Sequence, residues 1–363
     1  MKNYIRLIGK VFNKTSPEHL IFFVTSKCNF NCKMCFYKNS LGQNKNELNI
    51  DEIERISKNM PHFHWLQISG GETFLRDDLD EICGLFARNN QVRFFNIPTN
   101  GFFSEKIIET TEKILKNNPK SFFNIGVSVL GLRDIHEGIT GIKGSFDRAI
   151  TTYFKLFDLK KQYRNLGLSF PVNQNIYNEK GIKPLFDFLM KECKAEQIGF
   201  NLARGENVAH KYTTTSPQLY LENWNYLLEL ASNRNNYYFQ IPLKKLFYSI
   251  HMLQKDMTYE TARYNRFIIP CYAARISGVI DETGNIFSCE MRKTPLGNLR
   301  KSNYDFCAIW NSERAKEERR QIKNSRCFCT HECFMTTNII FNPAVYPRLI
   351  KKWIGYKNEK NKL

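Results

Sequence analysis

The sequence predicts an α/β fold, a partial (β/α)6 barrel of TIM type followed by a C-terminal cysteine-rich module. Two observations carry this. From Leu20 to about Arg204, short apolar or β-branched runs alternate with longer amphipathic stretches, the pattern of parallel strands covered by helices. The eleven cysteines, moreover, crowd into two groups: Cys28, Cys32 and Cys35 near the start, and Cys271, Cys289, Cys327, Cys329 and Cys333 in the last third. At 363 residues the chain has room for both parts, given about 100–200 residues per domain.

Strands are expected at 20–25, 65–69, 92–98, 122–129, 166–174 and 197–202, each a compact apolar or β-branched run. Helices are expected between them at 51–59, 78–89, 104–117, 145–163 and 181–192, the first opened by Asp51 and Glu54 at capping-box spacing. Further helix is expected at 219–232 and 243–254, and a hairpin where 277–280 and 286–289 flank Asp281-Glu282-Thr283-Gly284. The organisation that follows has five parts. These are a basic amphipathic segment (1–14), the barrel core (15–205), a helical connector (206–265), the cysteine-rich module (266–337) and a basic aromatic tail (338–363).

In such folds the reactive groups lie on loops at the carboxyl ends of the strands. Cys28, Cys32 and Cys35 follow the first expected strand, Ser69-Gly70-Gly71-Glu72 the second and Thr99-Asn100-Gly101 the third, while Ser128 closes the fourth. Eleven cysteines are too few for a disulfide scaffold and odd in number; clustered thiols point to metal instead. Thiols spaced Cys-x3-Cys-x2-Cys can reach three corners of an iron–sulfur cubane and leave the fourth iron open. The alternative is structural zinc, which wants four closed ligands, and neither His62 nor His64 is well placed to be the fourth.

The run Cys28-Asn29-Phe30-Asn31-Cys32-Lys33-Met34-Cys35-Phe36 resembles the signature of the radical S-adenosylmethionine (SAM) superfamily. The resemblance implies a [4Fe–4S] cluster whose open iron is chelated by SAM. In that family one electron from the cluster breaks a carbon–sulfur bond of SAM, and the resulting 5′-deoxyadenosyl radical abstracts hydrogen from substrate. Gly70-Gly71-Glu72 resembles the family element that binds the SAM amino group. Glycines allow close backbone approach and a carboxylate accepts from an ammonium. The resemblance further implies that Ser128 and Asn173 face the ribose and carboxylate of SAM, with Thr99, Asn100 and Arg204 as weaker candidates. Phe36 or Tyr37 is expected against adenine. Ser128-Val129-Leu130-Gly131 departs from the family's Ser-x-Asp-Gly pattern, so an acidic contact at position 130 is missing.

Cys271, Gly284 and Cys289 followed by Cys327-Phe328-Cys329-Thr330-His331-Glu332-Cys333 resemble the SPASM or twitch extension of that superfamily, which carries auxiliary clusters. The cysteines suffice for one auxiliary [4Fe–4S] cluster: Cys271, Cys289 and Cys333 with either Cys327 or Cys329. A zinc knuckle on four cysteines is the alternative. Cys83 and Cys193 are expected inside helices as small buried hydrophobes.

Lys and Arg outnumber Asp and Glu by 53 to 35, a net charge of +18. About half of the excess lies at the two ends, in Lys2, Arg6, Lys10 and Lys14 and in Arg348, Lys351, Lys352, Lys357, Lys360 and Lys362. Their spacing, with Trp353 and Tyr356 among the latter, describes amphipathic helices suited to an anionic membrane face or docked on the barrel with their charges in water. No apolar run approaches the roughly 18 residues of a membrane span, and the first residues do not read as a signal peptide. A cytoplasmic location is expected, with peripheral contact on the cytosolic membrane face. The expected activity is hydrogen abstraction from a sugar-type, lipid-linked or phosphorylated small molecule, with a low-potential electron donor such as flavodoxin or ferredoxin. Peptide or protein modification is the alternative, weakened because the first strand begins near Leu20 and leaves no leader-recognition domain before the barrel. A zinc-dependent nucleic-acid binder is disfavoured by the cysteine and Gly-Gly-Glu pairing, and no nucleic-acid partner is expected.

Overall fold

The computed structural model describes residues 9, 11–43, 46–203, 215–232 and 244–360; Arg204, most of the basic N-terminal segment and the Tyr356 side chain lie outside the described residues. Strands β1 (His19–Thr25), β2 (Trp65–Gly70), β3 (Phe94–Thr99), β4 (Phe122–Val127), β5 (Leu166–Gln174) and β6 (Ile198–Leu202) pair in parallel in chain order. All six stand where the sequence places them, to within two residues at each end. Helices α1 (Ile50–Lys58), α2 (Leu79–Asn89), α3 (Ser104–Asn117), α4 (Arg133–Thr140), α5 (Ser145–Lys160) and α6 (Ile182–Lys191) form the connections.

Three local departures have physical causes. Helix α1 is capped by Asn49, whose side chain accepts from the Glu52 N–H at 2.9 Å while Glu52 accepts from the Asn49 N–H at 3.0 Å; the capping pair lies two residues before the one expected, because Asn49 already has extended backbone angles. Helix α4 was not expected. It is one short amphipathic element stopped by Gly141 at φ +75°, too brief to stand out as a periodic pattern. Cys193, expected within a helix, lies beyond the end of α6 but is fully buried, as is Cys83 on α2.

The sheet does not end at β1. Strand β7 (Ser277–Ile280) pairs in parallel with β1, and β8 (Asn285–Phe287) and β9 (Gly297–Asn298) extend the sheet antiparallel, giving the order β6-β5-β4-β3-β2-β1-β7-β8-β9. The expected hairpin is therefore built onto the barrel's own first strand. Asp281 shapes its turn by accepting from the N–H groups of Thr283 (2.9 Å) and Asn285 (2.8 Å). Helices α7 (Pro217–Ser232), α8 (Lys244–Tyr264), α9 (Phe306–Trp310), α10 (Glu313–Asn324), α11 (Glu332–Ile340) and α12 (Tyr346–Lys360) complete the described chain.

Strand β1 is buried along its whole length. Leu20, Phe22 and Val24 face the helix layer, where Phe22 meets Phe86 edge-on at 5.9 Å. Ile21 and Phe23 face the other way, against Ala273, Val279, Ile322 and Phe334 of the C-terminal part. Each such apolar side chain contributes roughly 1.5–3 kcal/mol on burial. On the remaining strands the inward positions are only partly covered and form tiers by register. Trp65, Phe94 and Phe122 lie at one level and Gln67, Asn96 and Asn124 at the next.

His19 begins β1, fully buried, its ring 4.3 Å from that of Trp65 and neither nitrogen hydrogen-bonded. Burial pushes its pKa down to about 3. A folded value below the unfolded 6.5 means that the unfolded chain binds the extra proton, so stability is present above pH 6.5 and drains away as pH falls toward 3. Urea denaturation of His19→Phe is expected to show a shallower loss of stability over pH 6.5–4 than the parent, the difference approaching at most ~1.4 kcal/mol per pH unit.

Candidate functional site

The loop after β1 carries Cys28, Cys32 and Cys35 on the carboxyl-end face of the sheet. Its entry is fixed by Glu47, which accepts from the Ser26 N–H at 2.6 Å and from the hydroxyls of Thr25 and Ser26. Arg76 donates to the carbonyls of Val24 (2.7 Å) and Leu48 (2.8 Å). Further along, the Lys33 N–H donates to Ile139 O of α4 at 3.0 Å, and Phe30 packs edge-on against Phe102 at 5.6 Å. Four different connections of the barrel thus hold one loop.

Gly70-Gly71-Glu72 lies directly against it. The Gly71 N–H donates to Thr25 O and the Glu72 N–H to Lys27 O, both at 2.8 Å. Gly70 sits at φ +128°, and a Cβ there would be 2.3 Å from Thr25 O; a Cβ on Gly71 would be 2.0 Å from Lys27 O and 3.1 Å from Cys28 Cβ. Only glycine permits this approach. Glu72 is buried, and its carboxylate accepts from Thr99 Oγ1 (2.8 Å), the Asn100 N–H (2.7 Å) and the Phe74 N–H (3.2 Å). Burial raises its pKa while these three donors pull it back. The Asn100 amide then donates to Asn29 Oδ1 at 2.8 Å. Thr99 and Asn100, the weaker candidates, therefore connect the loop after β2 to the cysteine loop.

Ser128, just past β4, is half-buried and anchored by its N–H to Thr99 O at 2.8 Å. Asn173 on β5 is half-buried, and its carbonyl accepts from the amides of Asn175 and Asn178, each at 3.0 Å. Asn178 also donates to Leu130 O at 2.8 Å, clamping the β4 and β5 ends together. Phe36 is 39% exposed and meets Phe23 edge-on at 6.2 Å. Tyr37 lies tilted against Phe23 at 4.9 Å and donates its phenol proton to Glu282 of the C-terminal hairpin.

The donor set suits a cationic cluster. Burial pushes the Cys28 thiol up to about 11 and Cys32 up to about 12, and raises Cys35; Cys35 opposes ionisation of both others. Gathered, half-buried thiols ionise when a metal centre compensates their charge. His62 is exposed and His64 is bonded to Glu18 at 2.6 Å ahead of β2, at the opposite end of the sheet from the cysteines.

In the C-terminal group, burial pushes Cys271 up to about 12, with Cys329 and Cys327 adding to the effect. Cys289 is raised by burial and by Cys271 and Cys329. Cys271, Cys327 and Cys329 line one small cavity with Phe328 and Phe334. Cys333 is the second residue of α11, and Cys307 lies exposed on α9. His331 is paired with Glu290 at 2.7 Å. Among the described residues, no three His, Cys, Asp or Glu side chains form a set that could hold a metal ion as they stand. A lone zinc needs all its sulfurs about 2.3 Å from one point, whereas a cubane takes one thiolate at each of several irons.

Residues 22–189, from β1 into α6, match the family model of the radical SAM superfamily. The similarity to that superfamily covers these residues, a little under half of the chain. Over 191 residues it is 30% identical to the Fe-coproporphyrin III synthase of Methanosarcina barkeri, a match covering 52% of this chain and 45% of that protein, so less than half of the relative's length. Two solved structures share the fold: SuiB of Streptococcus suis bound to S-adenosylmethionine (TM-score 0.60, 16% identity, 88% of this chain and 71% of SuiB) and anSMEcpe with bound AdoMet (TM-score 0.60, 15% identity, 93% and 99%). SuiB is also known bound to its precursor peptide SuiA (TM-score 0.61, 15% identity, 90% and 71%). The fold shared with the chain is one that holds S-adenosylmethionine in both of those proteins.

Sequence reasoning missed Asn29, Glu47 and Asn178, which grip the strand-end loops through side-chain hydrogen bonds that no spacing announces. Gly71→Ala tests the closest approach. It is expected to destabilise the protein by at least about 1–3 kcal/mol, read as a shifted denaturation midpoint, and to lower iron retention after anaerobic reconstitution. Unchanged values for both would show that the loops separate freely.

Proposed function

We propose that Cys28, Cys32 and Cys35 hold the [4Fe–4S] cluster of this enzyme, and that Gly70, Gly71, Glu72, Ser128 and Asn173 frame the SAM pocket beside it. The observation that supports this most is the direct backbone docking of the Gly-Gly-Glu turn on the cysteine loop. When bound, the reduced cluster supplies the electron that cleaves SAM and starts hydrogen abstraction from substrate. The chain's own contribution is to hold the reacting partners still. Glu72 locks the loops after β2 and β3 together through Thr99 and Asn100, Ser128 and Asn173 offer uncharged polar groups on the same face, and Phe36 is available to cover adenine. Cys271, Cys289 and Cys333 with Cys327 or Cys329 are assigned to one auxiliary [4Fe–4S] cluster. A flavodoxin- or ferredoxin-type donor supplies the electron.

For substrate, the reading favoured is a polar, sugar-type small molecule, lipid-linked or phosphorylated, met at an anionic membrane face. Helix α12 supports the location. Leu349 and Tyr346 pack inward against the α8 cluster, while Ile350, Trp353 and Ile354 are exposed beside Lys351. Lys255, Arg348, Lys351 and Lys352 line a cleft of about 520 Å³ between α7, α8 and α12, with Asp256 the acid among its lining residues. Apolar tips set among cations fit a headgroup layer. No helix among the described residues is long and apolar enough to cross a membrane. Peptide modification is the second reading, favoured by the peptide-bound state of SuiB at the level of fold.

Two measurements test these assignments. Anaerobically reconstituted protein with dithionite and SAM is expected to release 5′-deoxyadenosine, and Cys32→Ala to abolish it; a variant retaining the activity would place the cluster elsewhere. In sedimentation with phosphatidylglycerol vesicles the full chain is expected to pellet, and Ile350→Glu with Ile354→Glu to stay in the supernatant. Equal partition of the two would remove the membrane assignment.

A further inference from the structure

The inner face of the barrel carries a feature that neither the cluster nor SAM accounts for. Strands β3 and β4 repeat the tetrad Phe-Phe-Asn-Ile, as Phe94-Phe95-Asn96-Ile97 and Phe122-Phe123-Asn124-Ile125, in exact register. The first Phe of each tetrad lies level with Trp65 in an aromatic tier at the amino end of the strands. The Asn of each tetrad builds the tier above. Asn96 Nδ2 donates to Gln67 Oε1 at 2.7 Å, and Asn124 Nδ2 donates to Asn96 Oδ1 at 2.6 Å and to Ser169 Oγ at 2.8 Å. Four neighbouring strands thus contribute to one hydrogen-bonded belt.

One acceptor of the belt lacks a donor. Asn124 Oδ1 is buried and has no hydrogen-bond partner among the described residues. Such an acceptor costs roughly 1–3 kcal/mol unless something donates to it. Ser169, 7% exposed, accepts from Asn124, which leaves its own hydroxyl proton to give. Gly126 stands opposite Ser169 in register, and a Cβ there would already lie 3.4 Å from Ser169 Oγ, so its absence keeps the approach to the hydroxyl open. Two tiers above Ser169, beyond Pro171 opposite Gly199, Asn173 and Asn201 face each other in register, both half-buried.

The alternation also shows what the lumen lacks. Every second residue inward along β2 to β6 is aromatic, amide, hydroxyl, glycine or proline, and none carries charge. An anionic group brought to this floor would be desolvated with no cation among the inward residues of these strands to meet it, a cost of several kcal/mol. A purely apolar group would leave the Asn124 acceptor unpaired. The complementary group is neutral and both donates and accepts, as hydroxyls and acetamido groups do.

We propose that the amide tier of Gln67, Asn96, Asn124 and Ser169, with Asn201 above it, is the substrate floor, and that it takes the neutral, hydroxyl-rich ring of a carbohydrate-type substrate. This rests on the radical SAM reading of the strand ends. Any phosphate or lipid of such a substrate lies outside the lumen.

Saturation-transfer NMR on the full-length protein with SAM present tests it, using three probes: N-acetylglucosamine, the peptide unit N-acetylalanine methylamide, and the tetracarboxylate coproporphyrin III. Transfer to the sugar ring protons is expected, with about tenfold weaker binding in Asn124→Leu and in Ser169→Ala, the loss of one well-made hydrogen bond. Thermal melts establish that the variants fold; if Asn124→Leu does not, Ser169→Ala and Asn201→Ala decide. No transfer to the sugar, transfer that both variants retain, or transfer to the peptide unit or coproporphyrin alone would overturn the proposal. Release of 5′-deoxyadenosine in the absence of substrate, measured in parallel, separates failure of this assignment from failure of the radical SAM reading. Cleavage that persists without sugar binding defeats the substrate floor only.

Discussion

Strand β1 is the constraint on which the rest of the molecule depends. It pairs with β2 on one edge and β7 on the other, and it is buried on both faces. A central parallel strand of this kind must be apolar at nearly every position, and Leu20-Ile21-Phe22-Phe23-Val24 is. Its carboxyl end launches the cysteine loop, so the position of the three thiols is inherited from the most buried segment of the protein. Its inner face, through Ile21 and Phe23, receives the C-terminal part and packs in the same cluster as Cys271, Cys289 and Cys327. The two cysteine groups are thus registered to one another through a single strand.

From that strand outward, the site is assembled by backbone more than by side chains. The Gly-Gly-Glu turn meets the cysteine loop through two N–H to carbonyl bonds, and the glycines matter because anything larger would collide with the carbonyls of Thr25 and Lys27. Glu72 faces into the protein rather than into open solvent, spending its carboxylate on Thr99, Asn100 and Phe74. A carboxylate so placed is a rigid joint between two strand ends, and the orientation of reacting groups depends on such rigidity.

Much of this was legible in the amino-acid sequence, for a definite reason. Strand and helix alternation is a local signal, and the cysteine spacing with its glycine pair is a local motif, so β1 to β6 and the two loops could be placed from short windows. What escaped is non-local or single. The pairing of β7 with β1 joins residues from opposite ends of the chain. The Asn29–Asn100 and Asn178–Leu130 hydrogen bonds each hang on one side chain. The Asn49 cap shifted α1 by a residue because Asn and Asp compete for the same role. The Phe-Phe-Asn-Ile repeat was in plain sight, but its meaning needed the register that puts Asn96 beside Asn124.

The pairing of β1 with β7 also bears on how the chain comes to be folded. The two strands are about 250 residues apart in sequence, and contacts of such separation form late because the loop they close is long. During synthesis β1 to β6 can pair in order as they emerge, while the free edge of β1 and the inner faces of Ile21 and Phe23 stay uncovered until β7 arrives. An exposed parallel edge rich in Phe, Ile and Val is a site for wrong pairing. The cysteine loop at its end is meanwhile accessible from the side that the C-terminal part later covers. The order of strands along the chain therefore leaves an interval in which the cysteine loop stands open before the contact of Tyr37 with Glu282 can form.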